Sequence, residues 1–248
     1  MDKEKKEPGT LYGIGVGPGD PELIPVKATR ILGEVDRVFT ASSTRNTYSL
    51  AVDIARSYIP EKTPVDPLAF PMSRDMAVKE DAWRQHARRI AGELEKGRNV
   101  AFLTLGDPLT YSTYGYVLRH LQTDWPHLPV VTIPGITSYH AAAAATNQPL
   151  VEGEESLLVL SGVDGGKWLK KTLDHPDNVV FLKAYRNVAG ICRSLEAAGM
   201  DANSMAVANC SRDDEVVYRD LDRLKQQSPN YWTLIIAKQN HHGPKKTT

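Results

Sequence analysis

Along the first part of the chain, short continuous apolar runs alternate with stretches whose apolar residues recur at helical spacing. The run from Thr10 to Val16 predicts a strand, and the spacing between Leu23 and Val35 predicts a helix. Val100 to Leu105 and Val130 to Ile133 repeat the strand pattern, and a helical pattern follows each. Strands that alternate with helices are typical of a mainly parallel sheet, so we expect an α/β fold. The other predicted elements of this region are a strand at Arg37 to Thr40, an extended segment at Lys62 to Ser73, and helices at Tyr48 to Tyr58, Asp75 to Lys96, Ser112 to Leu121 and Thr137 to Thr146.

The pattern changes after Pro149, where strand candidates follow one another with fewer helices between them. This change predicts a second, more antiparallel α/β domain. The polar link from Pro149 to Gly153 is the expected boundary, so we predict a parallel domain over residues 1–149 and a mixed domain over residues 150–248. The strand candidates are Ser156 to Leu160, Val179 to Ala184, Ser204 to Ala208 and Trp232 to Ala237, and the helices are Lys167 to Leu173 and Val188 to Ala198.

Composition narrows the class of protein. A hydrophobic fraction of 41% is ordinary for a globular protein with a core. Lysine plus arginine and aspartate plus glutamate each number 30, so no net charge draws the chain to nucleic acid or anionic lipid. Met1 to Pro8 lacks an apolar signal region and no later segment is long enough to span a membrane, so we expect a cytoplasmic protein without membrane or nucleic-acid partners. Cys192 and Cys210 lack metal-site or disulfide spacing and are expected to be buried free thiols.

The loop from Gly13 to Asp20, which follows the first predicted strand, is rich in glycine. It fails as a dinucleotide fingerprint, because the position of the third glycine holds Pro18 in one register and Asp20 in the other. A phosphate-binding P-loop is excluded because no Gly-Lys-Ser/Thr sequence follows. Gly-x-Gly-x-Gly spacing also occurs in the common methyltransferase loop, but Leu11 replaces the usual acidic residue. Taken alone, the loop fits a tight turn as well as a binding site.

Two further loops follow predicted strands. Leu105 to Pro108 places a glycine, which permits close ligand approach, beside the hydrogen-bond acceptor Asp107. Ile133 to Ser138 offers backbone and hydroxyl groups at a predicted helix start. Helix capping is the alternative explanation for the polar residues of both loops. Ligands of open α/β sheets bind at the carboxyl ends of the strands, where all three loops are expected to lie.

Together the three loops resemble the tetrapyrrole methyltransferase superfamily, the class III S-adenosylmethionine enzymes of cobalamin and siroheme synthesis. Within it, the chain is most similar to the C20-methyltransferases that act on precorrin-2 or cobalt-factor II in vitamin B12 biosynthesis. The motifs that carry the resemblance are Gly9 to Gly13, Gly15 to Leu23, Leu103 to Pro108, Thr113-Tyr114, Pro134 to Ser138 and Glu215 to Tyr218.

The resemblance implies two α/β domains with S-adenosylmethionine held in a cleft between them, S-adenosylhomocysteine as product, a homodimer and no protein-bound metal. The cofactor residues that it implies are Pro18, Leu105, Gly106, Asp107, Thr110, Thr137 and Ser138 in the first domain, and Ser161, Ala208, Cys210, Trp232 and Thr233 in the second.

A tetrapyrrole substrate carries many carboxylates, which arginine pairs with well. The basic candidates are Arg45, Arg74, Arg186 and Arg212, and of these we expect Arg45 and Arg212 to bind substrate. Tyr111 and Tyr114 are candidates to stack on the ring, with packing in a core or an interface as their alternative.

The implied chemistry is attack of a meso carbon on the sulfonium methyl group, followed by loss of that carbon's proton. Asp107, Asp20 or a water molecule is the candidate base.

Alternatives within the superfamily are methylation of another ring position or of a modified histidine, as in diphthine synthase. A nicotinamide-dependent oxidoreductase, disfavoured by the glycine register, and a ligand-binding protein without turnover are the alternatives from other classes.

Overall fold

The computed structural model describes residues 7–43, 49–172 and 176–239. The chain forms two compact units, Met1–Thr137 and Ser138–Thr248. Each contains a five-stranded sheet with helices packed on it, which confirms the predicted α/β fold class. Within the described ranges, no helix combines the length and the apolar character that crossing a membrane requires.

The first unit is built on a parallel sheet. The strand order is β3-β2-β4-β1-β5, and each neighbouring pair of strands is parallel. These strands are β1 (Leu11–Gly15), β2 (Arg37–Ser43), β3 (Val65–Phe70), β4 (Val100–Thr104) and β5 (Val130–Ile133). The helices are α1 (Val26–Leu32), α2 (Leu50–Ala55), α3 (Met76–Leu94) and α4 (Tyr114–Asp124), with 3-10 turns at Pro21–Leu23 and Arg56–Tyr58.

Both faces of this sheet are covered. Successive side chains of a strand point to opposite faces, and β4 shows the consequence. Phe102 packs with residues of α3 and α4, whereas Ala101 and Leu103 pack with residues of α1 and α2. A sheet with helices on both faces leaves only its edges open, and the carboxyl edge is therefore where a ligand site is expected.

The second unit has a mixed sheet of order β6-β7-β10-β8-β9, in which only the β6 and β7 pair is parallel. Its strands are β6 (Leu157–Ser161), β7 (Asn178–Leu182), β8 (Ser204–Ala208), β9 (Val216–Tyr218) and β10 (Thr233–Lys238). Its helices are α5 (Ser138–Thr146), α6 (Val188–Ala197) and α7 (Leu221–Lys225), with 3-10 turns at Gly162–Asp164, Leu169–Lys171 and Asp201–Asn203.

Helix α5 belongs to the second unit. Its Ala141 and Ala142 are buried against the β7, β8 and β10 side chains of one sheet face, while α6 and α7 cover the other face. The compact units therefore separate after Thr137, and α5 precedes the boundary that the sequence predicts at Pro149. The physical reason is that an alanine-rich helix can pack closely on a sheet that lies after it in the chain.

Two elements of the second unit differ from the prediction. The helix predicted from Lys167 to Leu173 is a single 3-10 turn, Leu169–Lys171, which follows two left-handed glycines and ends at the extended residue Thr172. A helical stretch this short has too few hydrogen bonds to offset its nucleation. Strand β9 and helix α7 have no counterpart in the prediction, because each is too short to show a hydrophobic period.

Candidate active site

Three loops of the first unit lie side by side at the carboxyl edge of its sheet. Strand β1 pairs with β4 on one side and with β5 on the other, all in parallel. The loops that follow these strands, residues 16–20, 105–113 and 134–137, therefore leave the sheet as neighbours. The structure confirms the expected positions of the three loops, and it brings the predicted residues Pro18, Gly106 and Asp107 to the same edge.

A pair of backbone hydrogen bonds joins the first two loops. Gly17 donates to Gly106 O at 3.3 Å, and Gly106 donates to Gly17 O at 2.7 Å, so that the loops form an antiparallel bridge. Both residues have left-handed backbones, with φ of 80° and 68°, a region that glycine adopts without strain. The two glycines are thus required for the join between the loops.

The third loop packs against the first two at distances that only glycine permits. A Cβ added to Gly15 would lie 2.5 Å from Gly106 O and 2.7 Å from Gly135 N, and one added to Gly135 would lie 2.8 Å from Gly15 Cα. Beside Gly106 the situation is different, because an added Cβ would meet no atom nearer than Ile136 O at 3.9 Å. The Gly106 backbone therefore has open space next to it that a ligand could use.

Asp107 ties the second loop to the third. Its Oδ1 accepts hydrogen bonds from Leu109 N at 2.9 Å and Thr110 Oγ1 at 3.2 Å, and its Oδ2 accepts one from Gly135 N at 3.1 Å. The predicted pair Asp107 and Thr110 is therefore in direct contact. The carboxylate organises both loops with these bonds, and its role as a base stays a prediction.

The outer part of the second loop is open to solvent. Leu109 is 63% exposed and Tyr111 is 51% exposed, and Tyr111 has a left-handed backbone with φ of 50°. A residue other than glycine in the left-handed region costs conformational free energy, and such residues cluster at binding sites. Pro18, by contrast, is buried within the first loop, and Asp20 Oδ1 accepts from Glu22 N at 2.8 Å as the cap of the following turn.

Tyr114 does not lie at a surface where its ring could stack on a substrate, as the sequence-based assignment requires. The side chain is fully buried in the core of the first unit, and its hydroxyl lies 3.0 Å from Thr132 Oγ1. A Cβ on Gly13 would come within 2.5 Å of that hydroxyl, so the ring packs directly beneath the glycine. The structure corrects the prediction: Tyr114 is a core residue, and its hydroxyl is satisfied inside the unit. Arg45, the other substrate candidate of the first domain, lies outside the described residues.

The second unit also gathers its predicted residues at one edge. The carboxyl ends of β6, β7 and β8 lie beside the start of β10, because β10 runs antiparallel to β7 and β8. Thr233 pairs with Ala208, and Asn209 N donates to Trp232 O at 3.3 Å. Ser161 ends β6 on the same edge.

Two asparagines that sequence reasoning missed organise this edge. Asn230 Nδ2 donates to Asn209 Oδ1 at 2.7 Å, and Asn230 Oδ1 accepts from Trp232 N at 3.0 Å. Asn209 Nδ2 donates to Asp214 Oδ2 at 2.8 Å, and Asn209 has a left-handed backbone with φ of 52°. Asparagine adopts the left-handed conformation more readily than most residues. The position of Asn209 directly after a buried strand was therefore the sequence signal that could have identified this turn.

Arg212 lies on the same edge but already has partners. Its Nε is 3.3 Å from Asp214 Oδ1, and its guanidinium lies over the Trp232 ring at 5.0 Å from the centroid. The predicted substrate residue Arg212 and the predicted cofactor residue Trp232 are thus in contact. Part of the charge of Arg212 is compensated by Asp214.

Cys210 is buried, and burial together with the negative charge of Glu215 raises the pKa of its thiol to about 12. Burial also raises the pKa of Cys192. Because the thiolate is the reactive species, the fraction of Cys210 that is ionised at neutral pH is on the order of 1000-fold below that of a free thiol.

We therefore expect iodoacetamide at pH 7.5 to leave both thiols of the native protein largely unmodified, and to label both within minutes in denaturant. Intact-mass spectrometry against time measures the labelling. Labelling of the native Cys210 at the rate seen in denaturant would contradict the burial that the structure shows.

No group of three or more His, Cys, Asp or Glu side chains with metal-site geometry occurs among residues 7–43, 49–172 and 176–239. Both edges instead combine glycine backbones, hydroxyls, amides and aromatic rings with carboxylates that already have partners within the chain, Asp107 and Asp214. Such groups suit an organic ligand with polar and flat portions.

Comparison with known proteins identifies the family. Residues 10–224 match the sequence profile of the tetrapyrrole (corrin/porphyrin) methylases. The cobalt-precorrin-2 C(20)-methyltransferase of Salmonella typhimurium is 33% identical to this chain, over 93% of the chain and 97% of the relative. The precorrin-2 C(20)-methyltransferase of a Sinorhizobium species is 30% identical, over 92% and 95%. A solved structure of uroporphyrin-III C-methyltransferase from Thermus thermophilus, complexed with S-adenosylhomocysteine, has the same fold, with a TM-score of 0.65 at 23% identity over 93% of this chain and 97% of that one. The chain belongs to the tetrapyrrole (corrin/porphyrin) methylase family.

Proposed function

We propose that this chain transfers a methyl group from S-adenosylmethionine to C20 of cobalt-precorrin-2 or of precorrin-2, as a step of cobalamin biosynthesis. The observation that carries the proposal is the similarity to the Salmonella and Sinorhizobium C20-methyltransferases, which extends over almost their whole length. The three glycine-joined loops of the first unit support it, because they leave open space beside Gly106 at the carboxyl edge of the sheet.

The loops of the first unit fit the methionine portion of the cofactor. Open space beside the left-handed Gly106 lets a ligand approach this loop closely, while the N–H and C=O groups of Gly106 itself are bonded to Gly17. Leu105 directly precedes Gly106, and Thr110 belongs to the same loop, where its hydroxyl donates to Asp107. The residues that we assign here to cofactor binding are Pro18, Leu105, Gly106, Asp107, Thr110, Thr137 and Ser138.

At the edge of the second unit, we assign Ser161, Ala208, Cys210, Trp232 and Thr233 to the adenosine portion. A flat base needs apolar contacts and a few fixed polar groups. The register of β8 and β10 supplies the small side chain of Ala208 beside Thr233, and the two asparagines fix the backbone at Trp232.

When bound, S-adenosylmethionine supplies an electrophilic methyl group on its sulfonium. The task of the chain is to hold the attacking meso carbon in line with that methyl group and to exclude water. Asp107 serves this task by holding the second and third loops together. Its carboxylate does so with the three hydrogen bonds that it accepts from residues of these loops. The proton of the attacked carbon then leaves to a water molecule or to a carboxylate of the loops.

The test is a methyl-transfer assay on cobalt-precorrin-2, precorrin-2 and uroporphyrinogen III under anaerobic conditions, with mass spectrometry and NMR of the products. We expect a single methyl group at C20 of one or both precorrins and none on uroporphyrinogen III. The paired substrates also decide whether cobalt is required, a point on which the two relatives differ in name. Methylation at another ring position, or of none of the three compounds, would refute the C20 proposal.

A further inference from the structure

A row of cations and aromatic rings lies at the carboxyl edge of the second unit. Tyr185 and Tyr231 contact each other edge to face, with centroids 5.4 Å apart. Arg186 lies over the Tyr185 ring at 5.1 Å, and Lys183 lies over the Tyr231 ring at 5.4 Å. We call these four residues the cation–aromatic row. Of the four, only Arg186 was a candidate from sequence.

The row adjoins the residues assigned to the cofactor. Ala184 N donates to Thr233 O at 2.7 Å, which holds the segment after β7 beside the start of β10. Tyr231 contacts Trp232, with ring centroids 6.4 Å apart. A ligand on the row would therefore lie next to the cofactor edge of the same unit.

Every residue of the row is at least partly exposed, and its two cations have no ion-pair partner in the part of the chain that the structure describes. Tyr231 is 46% exposed, and the Arg186 side chain is exposed as well. Among residues 7–43, 49–172 and 176–239, no carboxylate lies within ion-pairing distance of Lys183 or Arg186, in contrast to Arg212 and its partner Asp214. Two fixed positive charges held over rings can therefore pair with an external anion.

Lys183 occupies its position at a conformational cost. Its φ is 58°, in the left-handed region that favours glycine or asparagine. Lys183 therefore adopts a strained backbone conformation while its ammonium lies over the exposed Tyr231 ring. Such strain is typical of residues that have a binding role.

We infer that the cation–aromatic row of Lys183, Tyr185, Arg186 and Tyr231 binds peripheral carboxylates of the tetrapyrrole substrate. Rings that present their faces and edges suit a flat macrocycle, and the ammonium and guanidinium groups pair with carboxylates at its rim. The inference rests on the proposed function for the identity of the ligand. Nucleic acid is the other flat polyanion, but a chain with a net charge of zero has no overall field to attract it.

The test uses fluorescence titration of the full chain with two porphyrins, the octacarboxylate uroporphyrin and the tetracarboxylate coproporphyrin. We expect uroporphyrin to bind more tightly than coproporphyrin. Lys183→Gly and Arg186→Met should each raise the Kd of uroporphyrin about fivefold, the size expected for loss of one solvent-accessible ion pair with a carboxylate of the ligand. If the two cations act independently, the double variant should raise the Kd about 25-fold. The affinity for S-adenosylhomocysteine should not change. Lys183→Gly also removes the backbone strain, so this variant is expected to fold at least as well as the parent chain.

Arg193→Met is the matched control, because Arg193 is an exposed cation of the same unit, on α6, and is not part of the row. The uroporphyrin affinity of the Arg193→Met variant should equal that of the parent chain. Unchanged uroporphyrin affinity in the Lys183 and Arg186 variants would overturn the inference, as would absence of porphyrin binding to the parent or preferential binding of a single-stranded oligonucleotide. Loss of porphyrin affinity in these variants, together with no methyl transfer to either precorrin, would support the row and refute the proposed function.

Discussion

Replacement of Asp107 by alanine is expected to weaken binding of S-adenosylhomocysteine about 10- to 100-fold and to lower methyl transfer at least as much. The carboxylate accepts hydrogen bonds from two backbone amides and one hydroxyl, and these bonds hold the second and third loops together. Hydrogen bonds to a charged group are each worth about 1.5–3 kcal/mol, so loss of the organised loops corresponds to an effect of this size. Isothermal titration calorimetry with S-adenosylhomocysteine measures it.

Asp220→Ala provides the control for a lost aspartate cap. Asp220 Oδ1 accepts from Asp222 N at the start of α7, on the edge of the second sheet opposite to Ala208. Its removal should cost about 1 kcal/mol of stability and leave the cofactor affinity unchanged. If Asp107→Ala bound S-adenosylhomocysteine as tightly as the parent chain, the second loop would not form part of the cofactor site.

Gly15→Ala is expected to destabilise the chain by about 3 kcal/mol and to lower its melting temperature by roughly 6–12 °C. The new methyl group would lie 2.5 Å from Gly106 O and 2.7 Å from Gly135 N, and both contacts are to backbone that cannot rotate away. Relief of the clash requires separation of the three loops, so cofactor affinity should fall together with stability. Thermal denaturation with and without S-adenosylhomocysteine records both effects.

Gly92→Ala is the matched substitution. Gly92 lies in α3, and an added Cβ would meet no atom within 4 Å. Because alanine is the better helix former, this change should stabilise the chain by about 0.5–1 kcal/mol. A Gly15→Ala protein that melted as high as the parent chain would show that the loops are not held in close contact.

Strands β1, β4 and β5 of the first unit were predictable because each is a compact apolar run followed by a glycine-containing loop. Val130 to Ile133 matches the observed β5 in full, and the other apolar runs differ from their strands by a residue or a few at the ends. The positions of the three loops followed from strand direction alone. Their joining did not, because hydrogen bonds between Gly17 and Gly106 depend on backbone angles that no residue pattern specifies.

Side-chain roles were harder to predict than positions. Tyr114 lies directly after a candidate binding loop, and its sequence neighbourhood does not distinguish a ring that faces a ligand from one that packs under Gly13. The cation–aromatic row is a second example. Tyr185 and Tyr231 are far apart in sequence, and only the antiparallel pairing of β7 with β10 brings them together.

The strand order of the first sheet also determines when the sheet can assemble during translation. Strand β1 pairs only with β4 and β5, which the ribosome completes much later, whereas β2 and β3 can pair with each other first. At a synthesis rate of about 5–20 residues per second, β1 waits roughly 4–17 s for β4. During this interval the apolar side chains of Leu11 and Ile14, fully buried in the finished protein, have no strand to pair with. The nascent first unit therefore exposes apolar surface until β4 has been made, and we expect its folding rate to depend on long-range strand pairing rather than on its helices.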